Sequence, residues 1–236
     1  MQKIIEGILT EELPSNIYTY GFADMKDLLL PIYKDYQYGI SLMRKLDDEI
    51  IDEISGGPTL KYWDHYKEIN NELREKVITI AGLLKSKGIN AIGISSVQDN
   101  ERDNNYTKYL RYRLSHKMVA TRAGLGWIGK TDLFISKKYG PRIRLASILI
   151  NSKVKPNDKP DNESLCGICS VCVDACPAKA ANGKLWNIGT DRDEYYDAFK
   201  CRDNCVKLTT EKIGKDERLC GICVSLCPRG KLNKVD

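Results

Sequence analysis

Cys166-Gly-Ile-Cys169-Ser-Val-Cys172-Val-Asp-Ala-Cys176-Pro177 packs four thiols into one short run, and Cys220-Gly-Ile-Cys223-Val-Ser-Leu-Cys227-Pro228 adds three more. The first run has the C-x2-C-x2-C-x3-C-P spacing of bacterial ferredoxins, in which three close thiolates hold one 4Fe-4S cluster and the fourth reaches another. Two clusters are therefore expected. The second run is one cysteine short and must recruit a ligand, for which Cys201 and Cys205 are the candidates. If the arms cross, Cys166, Cys169 and Cys172 share a cluster with Cys227. Cys176 then joins Cys220, Cys223 and either Cys201 or Cys205 on the other cluster.

Two further readings of nine cysteines compete. A disulfide framework belongs to secreted chains, and the start, Met1-Gln2-Lys3-Ile4-Ile5-Glu6-Gly7, has no apolar signal region. Tetrahedral zinc suits paired C-x2-C knuckles, but zinc sites rarely place four thiolates so densely and end them in Cys-Pro. Exposed thiolates and clusters fit a reducing, cytoplasmic setting.

All nine cysteines lie beyond residue 165, so the rest of the 236-residue chain must be held by ordinary packing. A 42% hydrophobic content allows one good core and a small second domain. No apolar run approaches a membrane span, since Leu145 to Ile150 is broken by Asn151 and Ser152. The net charge of +5 is concentrated in Lys108, Arg111, Arg113, Lys117, Arg122, Lys130, Lys137, Lys138, Arg142 and Arg144, a stretch able to face an anionic ligand.

Patterning predicts strands at Ile17 to Met25 and Tyr36 to Met43 and a helix over Arg44 to Ile54. A long helix follows from Thr59 to Lys87, with a core stripe of Leu60, Trp63, Tyr66, Ile69, Leu73, Val77, Ile80 and Leu84. Ala91 to Val97 reads as a buried strand and Asp103 to Ala123 as one basic helix ending at Gly124. Leu133 to Ser136 and Ile143 to Ile150 read as an antiparallel hairpin turning at Tyr139-Gly140-Pro141. The expected architecture is an α/β (α+β) domain over residues 1–150, a polar linker from Asn151, and a ferredoxin-like module over 151–236 with little conventional secondary structure.

Ala123-Gly124-Leu125-Gly126-Trp127-Ile128-Gly129-Lys130, followed by strands and the two cysteine runs, resembles the epoxyqueuosine reductase family and, more distantly, the reductive dehalogenases. The resemblance implies an N-terminal domain that holds cobalamin and a module whose two 4Fe-4S clusters feed electrons to cobalt. It implies a cobalamin-facing surface at Gly126, Trp127, Gly129 and Lys130, led into by Ser115, His116 and Lys117. It also implies an external low-potential electron donor and a small-molecule or modified-nucleoside substrate. By the family's spacing of an Asp four residues before the lone cysteine, Asp197 points to Cys201 as the eighth ligand and leaves Cys205 spare.

The chain departs from the family at two points. Where tRNA-acting members carry an acid, this sequence reads Leu110-Arg111-Tyr112-Arg113, and it ends at Asp236 without their helical-repeat extension. The first departure counts against the family's proton donation and epoxide chemistry, and the second disfavours tRNA as a partner. His116 is a candidate proton donor set against an ordinary packed histidine, and Trp127 is a flat apolar surface suited to a macrocycle. Two functions stand at this point: a cobalamin-dependent reductase, or a corrin-free two-cluster electron-transfer protein serving a partner.

Overall fold

The computed structural model describes residues 1–95 and 104–231. Ser96, Val97 and Asp103, at the ends of two expected elements, lie outside them. The chain folds as two compact units: Met1–Lys45, Glu68–Leu125 and Arg144–Asp161 form unit 1, and Leu46–Lys67, Gly126–Ile143 and Asn162–Asp236 form unit 2. A single cut near residue 151 does not reproduce this division, because two cysteine-free segments fold with the cysteine runs.

Unit 1 is built on a four-stranded sheet in the order β1-β2-β6-β3, with β1 at Tyr18–Asp24, β2 at Tyr38–Lys45, β3 at Ala91–Ile94 and β6 at Ile143–Ile150. β1 and β2 run antiparallel with Tyr18 opposite Arg44, and β3 and β6 antiparallel with Ala91 opposite Ile150. The last six residues of β6 are all buried. That continuous burial explains why β6 is an inner strand of this sheet and does not form the expected hairpin with the Leu133 to Ser136 segment.

Helix α3, Leu60–Ser86, is as expected, and Ile69, Leu73, Val77, Ile80 and Leu84 on it are essentially inaccessible to solvent. Each such side chain stabilises the fold by about 1.5–3 kcal/mol. The stripe is narrower than the pattern implied: Leu60 is 53% exposed, and Trp63 lies under the ammonium groups of Lys67 and Lys215, 4.4 Å and 4.8 Å from its ring centre. β3 approaches α3 so closely that a Cβ on Gly93 would stand 2.5 Å from the Val77 carbonyl oxygen. Helix α1, Gln2–Glu12, was not foreseen; it buries Ile5, Ile8 and Leu9 on one face.

The expected single helix to Ala123 is two. α4 spans Asn104–Tyr109, Leu110 turns left-handed at φ 52°, and α5 spans His116–Arg122. The break follows from Ser115, whose hydroxyl accepts from the Met118 N–H at 3.3 Å and caps a new helix. α5 packs on β1 and β2, where Val119 and Ala123 join Ala23, Met25 and Leu149 in a buried cluster. The helix expected from Arg44 is likewise corrected: β2 runs to Lys45, and α2, Asp48–Asp52, starts behind Asp47, which caps the N–H groups of Glu49 and Ile50.

In unit 2, β4 (Gly126–Ile128) pairs antiparallel with β5 (Phe134–Ser136), so β5's partner is the glycine turn. Gly126 is required there: a Cβ would meet the Ile135 carbonyl oxygen at 2.0 Å. α6 is Val171–Asp174, α7 Ala198–Ile213 and α8 Ile222–Leu226. α7 corrects the expectation of little regular structure in this module. It starts at Asp197, which accepts from Phe199 and Lys200, and stops at left-handed Gly214.

Candidate metal centre

The two Cys-Gly-Ile-Cys segments share a left-handed glycine as well as a sequence, although α8 starts directly after its glycine and α6 only at Val171. Gly167 and Gly221 both adopt left-handed backbone, φ 54° and 88°, and each precedes a short helix, α6 or α8, and these two helices pack together. Left-handed glycine turns the chain tightly enough to aim two cysteines at one object. At Gly221 a side chain would also strike Ile54 at 2.3 Å.

All nine cysteines are free thiols, which removes the disulfide reading. Burial pushes the Cys227 thiol up to about 11, with Cys172 and Cys166 adding to the shift; burial also raises Cys172, beside Cys166 and Cys169. Burial raises Cys223 too, with Cys220, Cys201, Cys172 and Cys176 as its electrostatic neighbours. Cys227 thus lies near Cys172 and Cys166, and Cys223 near Cys220, Cys201, Cys172 and Cys176, so Cys172 neighbours both.

Neutral donors surround these sulfurs. Thr131 hydrogen bonds to Cys172, and Tyr196 to Cys201. Cys205 hydrogen bonds to both Cys201 and Cys220, its Sγ 3.9 Å from that of Cys201. The contacts with Cys201 and Cys220, together with burial, raise the Cys205 thiol, and the contacts with Cys205 and Tyr196 lower that of Cys201.

The residues assigned to a corrin by resemblance sit within unit 2. Lys130 is 6% exposed and its Nζ donates to the Cys169 carbonyl at 2.9 Å. Trp127 is 4% exposed, lies under the Arg229 guanidinium at 5.5 Å, and leaves Nε1 a buried donor without a partner among the described residues. Gly126 and Gly129 lie against Ile135. Missed by the sequence reading was Asp132, left-handed at φ 59°, which accepts from the Tyr195 hydroxyl at 2.8 Å. Arg142 was placed in the basic stretch able to face an anionic ligand, yet its side chain is 1% exposed and donates to Asp48 at 2.9 Å and Asp52 at 2.6 Å. Its place immediately after Tyr139-Gly140-Pro141 gave no signal of burial.

His116 is in unit 1 and half-buried. Nε2 donates to the Ser95 carbonyl at 2.8 Å, which leaves Nδ1 to accept from the Ser147 hydroxyl at 2.9 Å. Burial holds the ring neutral, down to about 4, despite the Ser95 bond, and Arg144 adds to the depression. A ring with both nitrogens engaged positions the start of α5 against Ser147 on β6.

Residues 165–230 match a 4Fe-4S double cluster binding domain. The epoxyqueuosine reductase of Bacillus subtilis (strain 168) is 30% identical over 176 residues, which cover 70% of this chain and 39% of that protein. That of Lactococcus garvieae is 36% identical over 113 residues, 48% of this chain and 31% of that protein. The chain thus spans well under half the length of these curated relatives. Among solved structures, a selenomethionine-labelled epoxyqueuosine reductase superposes with TM-score 0.64 at 18% identity, covering 100% of this chain and 68% of that one. A catabolic reductive dehalogenase superposes with TM-score 0.63 at 16% identity, covering 92% and 30%. The chain resembles the epoxyqueuosine reductases in sequence and, like the reductive dehalogenases, shares their fold, and it carries a 4Fe-4S double cluster binding domain.

Proposed function

We propose that this chain is an iron-sulfur oxidoreductase that takes electrons from an external low-potential donor and relays them through two 4Fe-4S clusters. Cys166, Cys169, Cys172 and Cys227 hold one cluster, and Cys176, Cys201, Cys220 and Cys223 the other. The observation that carries this reading is the match of residues 165–230 to a 4Fe-4S double cluster binding domain, with Cys227 beside Cys172 and Cys166. Thr131 and Tyr196 donate to ligand sulfurs, and Lys130 fixes the Cys169 loop through its carbonyl. Hydrogen bonds and charge around the sulfurs are the protein's means of setting cluster potentials.

The acceptor in this reading is cobalamin, supported by the sequence likeness to epoxyqueuosine reductases and by a fold shared with a dehalogenase described as B12-dependent. A bound corrin would supply a strongly reducing cobalt centre, with the protein responsible for binding and electron supply. Of the four residues assigned to it, Lys130 and Trp127 are buried and have partners within unit 2, which counts against their lining a corrin. That observation favours a second reading, in which the relay serves an acceptor on a partner protein. An epoxide substrate on tRNA, the ligand named for one solved epoxyqueuosine reductase, is further disfavoured by Leu110-Arg111-Tyr112-Arg113, which offers no carboxyl.

The test is anaerobic reconstitution with quantification of iron, sulfide and bound cobalamin, following the visible spectrum during reduction. About eight irons per chain are expected from two cubanes. Stoichiometric cobalamin uptake with cluster-driven cobalt reduction supports the first acceptor. Eight irons without cobalamin uptake support the second, and four or fewer overturn the relay.

A further inference from the structure

The second cluster site contains one thiol more than a cubane needs. Cys201 and Cys205 stand four residues apart on α7, one turn along the same face, with sulfurs 3.9 Å apart. Cys205 also hydrogen bonds to Cys220 and is only 7% exposed, so it is part of the sulfur set and not a surface thiol. Its backbone is fixed from a second direction. The fully buried Thr209 hydroxyl contacts the Cys205 carbonyl at 3.0 Å and donates to the Glu217 carbonyl at 2.7 Å, tying this turn of α7 to the segment that leads into Cys220.

We propose that Cys205 is a reserve ligand, able to occupy the position that Cys201 holds at the second cluster. The inference rests on the two-cluster reading above. Each iron of a cubane takes one cysteine thiolate, so two sulfurs in mutual contact compete for one corner. When ligation passes between them, the iron bond to the Cys201 sulfur breaks as the bond to the Cys205 sulfur forms. The Cys205 proton moves to Cys201, no electron is exchanged, and the charge of the site is unchanged. A turn of helix brings either sulfur to the site without unwinding α7. Tyr196, which donates to Cys201 alone of the pair, favours Cys201 as the resident thiolate.

The experiment compares iron and sulfide content and the electron paramagnetic resonance of the reduced, anaerobically reconstituted full chain. Variants are Cys201→Ala, Cys205→Ala, the double variant, and Cys223→Ala as a ligand without a neighbouring substitute. The first cluster's signal serves in each as the control for folding. Both single variants should keep about eight irons, with the second cluster's signal altered in Cys201→Ala, while the double variant and Cys223→Ala fall to about four. Loss of the second cluster in Cys201→Ala, with the first intact, overturns the reserve role. So does its retention in the double variant. A wild-type chain with fewer than about eight irons instead defeats the underlying two-cluster reading.

Discussion

Unit 1 buries Phe22, Leu42, Leu73, Val77 and Ile148 completely among helices and a four-stranded sheet, whereas the fully buried side chains of unit 2 include a guanidinium, Arg142, and a phenol, Tyr195. The sheet of unit 2 has two strands of three residues each. Elements of that size cannot hold themselves in water, and small units compensate with metal or cross-links. The contrast teaches that unit 1 is a packed fold and unit 2 a ligand-organised one, in which Arg142 with Asp48 and Asp52, and Tyr195 with Asp132, orient short elements around the cysteines.

The largest effect that tests this contrast is iron removal. Chelation under reducing conditions should release amide protons of β4, β5, α2 and α7 to rapid exchange, while β1, β2 and β6 stay protected, because ligation free energy is folding free energy where the ligands organise the fold. The cysteine-free segments Leu46–Lys67 and Gly126–Ile143 should exchange with the cysteine runs. Uniform loss of protection along the chain would break the comparison. Loss confined to residues beyond 151 would restore the single boundary expected from the sequence.

Next in size is Arg142→Leu. Removing the guanidinium leaves two carboxylates facing an apolar side chain; a broken buried pair costs about 3–5 kcal/mol. The carboxylates are 25% and 38% exposed, so screening by solvent puts the expected loss near the lower end, about 3 kcal/mol. It should appear as a lower denaturant midpoint for loss of cluster absorbance, with the protection of β1 and β2 unchanged. An equal shift in both units would show that they unfold together.

What could be read beforehand divides along the same line. Strand positions in β1, β3 and β6 followed from runs of β-branched, aromatic and other apolar residues, and the long helix α3 from the three-and-four spacing of Ile69, Leu73, Val77, Ile80 and Leu84. The double cluster domain followed from the spacing of the cysteines, because a cubane tolerates few ligand separations. Pairing was not legible: β5 lies between β4 and β6 in the chain, with a short connection to each, and only the continuous burial of β6 decides between them. Nor were the inward positions of Lys130 and Arg142, whose partners are a main-chain carbonyl and two carboxylates distant in sequence.

His116 sharpens the comparison from the unit 1 side. Its folded value of about 4 lies below the ordinary 6.5, so the unfolded chain binds the proton more tightly. The neutral ring therefore contributes stability that is complete above pH 6.5 and lost as pH falls toward 4. Between about pH 7 and pH 5 unit 1 should lose about 2 kcal/mol, read from exchange at β6 and α5 amides. His116→Gln, which can still donate and accept, should flatten that slope. An unchanged slope in the variant would transfer the acid sensitivity to another group.

The smallest expected effect tests the helix break. The sequence reads as one helix through Ala123, yet α5 begins afresh because the Ser115 hydroxyl accepts from Met118 N–H at 3.3 Å. Ser115→Ala removes the cap and should cost about 1 kcal/mol. The loss should appear as faster exchange in the first turn of α5, from His116 to Val119, since the buried Val119 and Ala123 anchor the rest of the helix against β1 and β2. In unit 2 the same measurement should show no change, because its helices draw their positions from ligands and from Asp197, Gly214 and Gly221. If Ser115→Ala instead raises protection across Leu110 to Ser115, the cap is what interrupts a continuous helix, and the periodic pattern read from the sequence was the chain's intrinsic preference.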